Sequence, residues 1–217
     1  MQLYYHRKSL EMISHEPVFA TAPPNLPPSV AEWYSLVNAV ELLEKYSNQD
    51  DPLPPAEFRL CRYKDTELVV FLYENQGVVW WAFENCEKDD PPVYINIDPP
   101  PDNWLLCCEN FSSFVYTRFF DFLHWYDKKL SILGFGNPLE VNIIDQLHRE
   151  YFPEPVTYGW PGDTQLRFSN ADQRISIQYD DQVSNWHFSA NTPDNLQKVF
   201  EKFKPLLYGC LPPLKDT

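Results

Sequence analysis

Two apolar runs on either side of a short polar insert constrain the fold of this chain most. Residues 68–73 and 78–83 are rich in β-branched and aromatic side chains, and Glu74-Asn-Gln-Gly77 lies between them. Gly77 can take the positive φ that a tight turn requires at little cost. Because the runs are nearly continuous rather than alternating, we expect both faces of these strands to be covered. The pattern predicts a buried β-hairpin, whose polar tip is either a folding device or a recognition site.

The rest of the chain carries further helix and strand patterns. Ser29 and Glu32 have the spacing of a capping box, and the apolar stripe after them predicts one helix to about Tyr46. Gly134-Phe-Gly136 lacks the third glycine and the preceding strand of a dinucleotide-binding loop, and it is predicted to be a turn. The other predicted helices lie near residues 111–126, 139–151 and 193–204, and the other predicted strands at residues 93–97, 165–168, 175–179 and 186–190.

Acidic residues are concentrated in one part of the chain. The whole chain has 31 acidic and 17 basic residues and a formal net charge of −14. Residues 26–110 alone hold 16 of the acidic and five of the basic residues, a net charge of −11. This excess disfavours nucleic acid and anionic membranes as partners, and it favours basic protein surfaces. A requirement for solubility would explain the same excess.

Six acidic residues with only Lys88 to compensate them lie between positions 84 and 102. They are too irregularly spaced for a calcium-binding EF-hand loop. Two interpretations stay open: a solvated rim, or a patch that binds a basic partner. Aromatic residues would anchor such a partner, and Trp81 is one of the aromatic candidates. The predicted partner-binding residues are Glu84, Glu87, Asp89, Asp90, Tyr94, Asp98, Asp102 and Trp104.

No motif for catalysis, a metal ion or a cofactor is recognisable in the sequence. The five cysteines form no CxxC or Cys/His ligand pattern, and the five histidines are scattered along the chain. We therefore expect no enzymatic activity, no metal and no cofactor. Residues 1–25 lack a secretory apolar core, and no stretch approaches the roughly 20 apolar residues of a transmembrane helix. A cytoplasmic location, without membrane contact, is expected.

The order of several motifs resembles the SUKH superfamily, named after yeast cell-wall synthesis regulators of the Smi/Knr type. Leu26-Pro27 opens a helix that carries Trp33-Tyr34, and Glu74-Asn-Gln-Gly77 stands at a hairpin tip. Pro91-Pro-Val-Tyr94 leads into a strand, and an aromatic helix follows at residues 111–123. The resemblance covers residues 26–126, a little under half of the chain.

This resemblance implies an α+β fold, in which a mainly antiparallel β-sheet packs against several α-helices. We accordingly divide the chain into an N-terminal arm (residues 1–25), a core that resembles the superfamily (residues 26–136) and a C-terminal α+β extension (residues 137–217). The extension is expected to belong to the same globular unit as the core.

The resemblance also implies a class of function. Many bacterial members of the superfamily are immunity proteins that neutralise a cognate polymorphic toxin, often a nuclease or a nucleobase deaminase. We therefore expect a non-catalytic protein that occludes the basic active site of a toxin. A regulatory interaction scaffold of the Smi/Knr type is the alternative, and an enzyme with a Cys/His site assembled in space is a third hypothesis.

Overall fold

The computed structural model of this protein describes residues 5–21, 23, 25–46, 50–97, 103–126 and 130–211. Contacts divide the chain into two compact units. The first comprises residues 1–122 with residues 158–160, and the second comprises residues 123–157 with residues 161–217. Antiparallel sheets and helices occur in both units, so the predicted α+β fold class is confirmed.

The first unit is an antiparallel sheet with helices against it. Its helices are α1 (His6–Met12), α2 (Pro28–Tyr34), α3 (Ala39–Tyr46) and α4 (Phe111–Tyr126), of which α4 ends beyond the unit boundary. Its strands are β1 (Asp50–Pro52), β2 (Arg59–Tyr63), β3 (Thr66–Glu74), β4 (Val79–Glu84), β5 (Val93–Ile97) and β6 (Trp104–Cys108). The strand order of the sheet is β1-β3-β4-β5-β6, and β2 also pairs with β3.

The predicted hairpin is the centre of this sheet. Strands β3 and β4 pair antiparallel, with Leu72 opposite Trp81, and the chain reverses at residues 75–78. Gly77 has a φ of +74°, as the turn chemistry requires. Hydrogen bonds within the tip stabilise it: the Gln76 main-chain amide donates to the Glu74 carboxylate at 2.9 Å. The Trp80 indole also donates to the Gly77 carbonyl at 3.0 Å.

Both faces of the hairpin are buried, as its continuous apolar runs predict. One face packs against the helices, where the Phe71 ring meets Phe111 and Phe114 edge-on at 5.2 and 5.6 Å. The other face is a smaller cluster of Leu68, Val70, Ala82 and Trp104, bordered by Cys61, Tyr63, Tyr73, Trp80 and Tyr94. The strands therefore separate a large helical core from a second apolar layer of mostly aromatic side chains.

The predicted single helix from Ser29 to Tyr46 is wrong, because the chain forms the two helices α2 and α3. The Ala20 amide donates to the Ser35 carbonyl at 2.7 Å, and the Val37 amide donates to the Val18 carbonyl at 2.9 Å. These bonds to a segment well before α2 unwind residues 35–38. The predicted capping box is wrong as well, since the residue before α2 is Pro27 and no side chain caps that end.

The predicted N-terminal arm contains an ordered helix. In α1, Leu10 and His6 are buried, and the His6 ring centroid lies 5.4 Å from that of Trp33. The His6 ring nitrogen Nε2 also contacts the Ser29 carbonyl oxygen at 2.8 Å. Residues 6–12 are therefore part of the first unit and not an appendage to it.

The second unit is another antiparallel sheet with two helices. Its helices are α5 (Val141–Glu150) and α6 (Pro193–Phe203). Its strands are β7 (Ser131–Gly136), β8 (Phe152–Pro153), β9 (Thr157–Tyr158, of which Tyr158 is counted with the first unit), β10 (Thr164–Ser169), β11 (Gln173–Tyr179), β12 (Ser184–Ala190) and β13 (Leu207–Leu211). The strand order is β13-β7-β12-β11-β10-β8, and β9 pairs with β10. The Thr192 side chain caps α6 by accepting from the Asn195 amide at 3.2 Å.

The predicted turn at Gly134-Phe-Gly136 is wrong, because these residues lie in strand β7. A Cβ on Gly136 would stand 2.8 Å from the Ser184 Oγ and 3.0 Å from the Leu206 carbonyl oxygen. Glycine here permits close packing rather than a change of direction. Strand β7 pairs with β12 and β13, so the contacts place residues 131–136 with the second unit and not with the predicted core of residues 26–136.

Candidate protein-binding surface

The loop between β4 and β5 carries four of the predicted partner-binding acids. Glu87 and Asp89 are exposed, whereas Glu84 and Asp90 are half-buried. The main chain of the loop is held at both ends. The Glu84 amide donates to the Pro92 carbonyl at 3.0 Å, and the Asp89 carbonyl accepts from the Ser29 amide at 2.8 Å. The exposed carboxylates are therefore displayed by a loop with a fixed main chain.

Asp90 has a structural role that the sequence analysis missed. Its carboxylate accepts from the Ser112 amide at 3.0 Å and from the Ser112 hydroxyl at 2.5 Å. These bonds satisfy a donor in the first turn of α4, where a negative charge is also favoured by the helix dipole. The carboxylate is thus engaged within the first unit, and Asp90 is a poor candidate for contact with a partner.

Tyr94 lies near the carboxylates of Glu84 and Glu109. Its hydroxyl donates to the Glu84 carboxylate at 3.4 Å. Burial and the negative charges of Glu84 and Glu109 raise the pKa of Tyr94, so the hydroxyl stays protonated at neutral pH. Sequence reasoning missed Glu109. Pairing of β6 with β5 would have revealed it, since Val93 lies opposite Cys108, the residue before Glu109.

A further carboxylate joins this group from strand β3. The Asn85 side chain donates to the Glu67 carboxylate at 2.5 Å, and the Asn85 amide donates to the Glu67 carbonyl at 2.9 Å. We call the resulting group the acidic surface; it consists of Glu67, Glu84, Glu87, Asp89 and Glu109 with Tyr94. Among the described residues, none of its five carboxylates is in an ion pair.

The other predicted contact residues do not join the acidic surface. Asp98 and Asp102 lie outside the described residues. Trp104 is only 2% exposed, and Trp81 is completely buried on the helix side of the sheet. The Arg118 guanidinium lies 4.7 Å from the centre of the Trp81 ring. Both tryptophans are core residues, so their burial does not support the prediction that they anchor an interface. Tyr94 is partly exposed and can contact a partner.

Side chains with metal-binding or nucleophilic potential lie in several places. Within the described residues, no group of three or more His, Cys, Asp or Glu side chains is arranged to hold a metal ion. The five cysteines all lie in described residues, and no disulfide joins them. Burial raises the pKa of the Cys61 thiol, which disfavours the reactive thiolate. The side chain of His124 lies outside what the structure describes.

In the described part of the chain, no helix is both long enough and apolar enough to cross a membrane. Comparison with models of protein families, with curated proteins and with solved structures finds no match to this chain.

Proposed function

We propose that this protein is a non-catalytic binding protein whose acidic surface contacts a basic surface of a partner protein. The observation that carries the proposal is the set of five carboxylates of the acidic surface, two of which (Glu84 and Glu109) lie near Tyr94 and none of which is in an ion pair with another described residue. Like charges held together by the fold repel one another, and a basic partner relieves that repulsion. The negative electrostatic field of these carboxylates accelerates the encounter with a cationic protein surface and disfavours binding to an anionic one.

The fixed main chain of the loop supports this proposal. Asn85 is bonded to Glu67, and Asp90 is bonded to Ser112, so the loop between them needs little ordering on binding. Preorganisation of this kind improves affinity because fewer degrees of freedom are lost when the complex forms. Tyr94 supplies the amphipathic ring that commonly anchors such interfaces.

The partner we propose is a toxin domain that acts on nucleic acid, such as a nuclease or a nucleobase deaminase. The resemblance of residues 26–126 to the SUKH superfamily supports this choice, because immunity proteins are frequent in it. An enzyme that acts on nucleic acid needs a basic cleft to bind the phosphate backbone. An inhibitor with an acidic surface fills that cleft and excludes the substrate.

Co-expression with a toxin encoded next to this protein's gene tests the proposal. We expect cells to survive when the wild-type chain is present. Survival should fail with the surface variant Glu87→Gln, Asp89→Asn and Glu109→Gln. A matched variant, Asp163→Asn, Asp181→Asn and Asp194→Asn, neutralises three exposed acids of the second unit and should still protect.

Two outcomes would argue against this function. Cells that die equally with and without the wild-type chain would exclude neutralisation of that toxin. Protection by the surface variant equal to that by the wild type would exclude the acidic surface as the contact. If the chain instead forms a stable complex with a regulatory protein and no toxin gene lies nearby, the scaffold alternative replaces the immunity role.

A further inference from the structure

A small cavity lies in the second unit, at one end of its sheet. Its volume is about 230 Å³, and its lining comes mainly from the turn between β10 and β11, the end of β12 and the residue before β7. All of the described lining residues are counted with the second unit, whereas the acidic surface belongs to the first. The volume is below the range of about 300–1,000 Å³ that is typical of sites for drug-sized ligands. A guest of this cavity must therefore be small.

The strand register brings two polar side chains together at this cavity. Arg174 in β11 lies directly opposite Ser189 in β12. The side chains of such a pair stand on the same face of an antiparallel sheet, with Cβ atoms about 5 Å apart. Their neighbours Ile175 and Phe188 point to the other face and are fully buried in the apolar core of the unit. Arg174 and Ser189 line the cavity.

Both of these side chains have unused hydrogen-bonding capacity. Ser189 is only 7% exposed, and its buried hydroxyl has no hydrogen-bond partner among the described residues. The half-buried Arg174 guanidinium forms neither a hydrogen bond nor an ion pair with any residue that the structure describes. A guanidinium can only donate hydrogen bonds, so its ligand must supply acceptor atoms. An acceptor that also reaches the hydroxyl recovers the free energy that its unpaired burial costs.

Hydrogen bonds fix the turn at the rim of the cavity. The Asn170 Oδ1 accepts from the main-chain amides of Asp172 and Gln173 at 2.9 and 2.8 Å. The Asn191 side chain donates to the Asp172 carboxylate at 2.7 Å, and the Asn191 amide donates to the Asp172 carbonyl at 3.0 Å. Asp172 is the only acidic residue among the described lining residues, and its carboxylate is thus already engaged. The cavity is therefore largely preorganised, which favours binding.

We infer that this cavity binds a small monocarboxylate, whose oxygens accept hydrogen bonds from the Arg174 guanidinium and the Ser189 hydroxyl. The planar guanidinium matches the geometry of a carboxylate, and hydrogen bonds between two charged groups are among the strongest. A short apolar chain on the guest lies against Leu130 and Ala190, which also line the cavity. A doubly charged anion is disfavoured by the nearby Asp172 carboxylate. The inference does not depend on the proposed protein partner.

Titration of the full chain with guests of similar size and different charge tests this inference. Amide chemical shifts are followed at constant ionic strength while butyrate, butyramide or butylammonium is added. We expect butyrate to bind about tenfold more tightly than butyramide, because its hydrogen bonds are charge-assisted, and butylammonium to bind least. Inorganic phosphate at about pH 8, where it is mainly a dianion, should bind more weakly than butyrate. The shift changes with butyrate should map to residues 170–174 and 189–191.

Three variants separate the cavity from non-specific charge effects. Arg174→Gln should abolish the preference for butyrate over butyramide, and an unaltered amide spectrum outside the cavity would show that the variant is folded. Arg149→Gln removes an equal charge at an exposed position of α5 and should retain the tenfold preference. Ser189→Ala should weaken butyrate binding about fivefold without lowering stability, because it deletes an unpaired buried hydroxyl. No binding of butyrate, tighter binding of phosphate or butyramide, or an unchanged preference in Arg174→Gln would overturn the inference.

Discussion

An ion pair inside the first unit joins strand β1 to helix α4. The Arg118 guanidinium contacts the Asp50 carboxylate, with Nε 2.9 Å from Oδ2, and both side chains are buried. Burial lowers the pKa of Arg118, but the charge and hydrogen bonds of Asp50 more than compensate and raise it. Arg118 thus remains charged, and the stability of the first unit depends on the ion pair between Arg118 and Asp50.

Removal of that partner should destabilise the first unit strongly. Asp50→Asn removes the hydrogen-bonded counter-charge of a buried guanidinium, and we expect a loss of about 3 kcal/mol in the free energy of unfolding. Urea unfolding followed by tryptophan fluorescence measures this loss. Glu11→Gln breaks the exposed pair with Arg7 and should cost less than about 0.5 kcal/mol. Equal effects of the two substitutions would contradict the importance of burial.

The buried His6 should make stability depend on pH. Burial lowers its pKa from 6.5 to about 4, against the opposing effects of the Ser29 hydrogen bond and the Asp90 charge. In this interval the unfolded chain binds a proton that the folded chain does not. The stabilisation is therefore complete above the unfolded pKa and is lost as pH falls towards the folded one.

The His6→Gln substitution should remove part of this pH dependence. Between pH 6.5 and about 5 the wild type should lose about 1.5 kcal/mol of stability through His6, because the histidine of the unfolded chain goes from half-protonated to almost fully protonated. Chemical unfolding at the two pH values measures the difference. His15→Gln leaves His6 in place and should behave as the wild type. An unchanged pH dependence in His6→Gln would show that another group is responsible.

Asn96 presents a buried amide with unsatisfied hydrogen-bonding groups. Its side chain is 1% exposed, and neither its oxygen nor its nitrogen has a hydrogen-bond partner in the described residues. An apolar side chain of similar shape avoids that desolvation cost, so Asn96→Leu should raise the free energy of unfolding by about 1 kcal/mol or more. Asn85→Leu, which loses the bond to Glu67, should not stabilise the protein. A destabilised Asn96→Leu variant would contradict the claim that the Asn96 amide lacks hydrogen-bond partners.

At the scale of elements, local chemistry determines the central hairpin. Its strands and turn follow from a contiguous stretch of sequence, and the positive φ of Gly77 follows from the turn. A Cβ on Gly77 would meet no atom within 4 Å, so a substitution there costs backbone conformation alone. Gly77→Ala should therefore destabilise the first unit by about 1 kcal/mol.

A neighbouring substitution serves as the control for this turn. Gln76→Ala changes an exposed side chain in the same turn and retains the amide that donates to Glu74, so the free energy of unfolding should stay within about 0.5 kcal/mol of the wild type. Gly77→Asn should cost less than Gly77→Ala, because asparagine tolerates positive φ better. If Gly77→Ala is as stable as the wild type, the tip does not require a left-handed residue.

Elements that depend on distant contacts were predicted less well. Residues 29–46 are divided into α2 and α3 because the segment at residues 18–20 forms main-chain hydrogen bonds with Ser35 and Val37. No local sequence pattern reveals these bonds. Gly136 resembles a turn residue in sequence, but it is required because Ser184 and Leu206 pack against it in the folded chain. Turns and amphipathic helices are local in origin, whereas strand neighbours and helix breaks are not.

The candidate site shows the same limit. Charge density in the sequence locates the acidic loop, and Glu84 does lie against Tyr94. The sequence shows neither that Asp90 bonds to Ser112 nor that Glu109 lies near Tyr94, because both relations join segments brought together by the sheet. Hydrophobicity alone also leaves the burial of Trp104 undetermined.

At the scale of the whole molecule, the distribution of charge is the basis for the basic partner that we propose. Residues 26–110 carry a net charge of −11 out of −14, and the acidic surface lies within this part of the chain and its first unit. Exposed charges of this kind act mainly on the rate of association and are screened by salt. A solvated rim would carry similar charges, and binding kinetics distinguish such a rim from a binding surface.

The central claim is tested most directly by the rate at which this chain associates with the catalytic domain of a toxin, where one is encoded beside its gene. The measurement compares about 0.05 M with about 0.5 M salt. We predict that the wild type and the second-unit control associate at least about tenfold faster at low salt. The variant Glu87→Gln, Asp89→Asn and Glu109→Gln should associate more slowly and with a flatter salt dependence. A surface variant whose rate and salt dependence match those of the wild type would contradict the proposed role of the acidic surface.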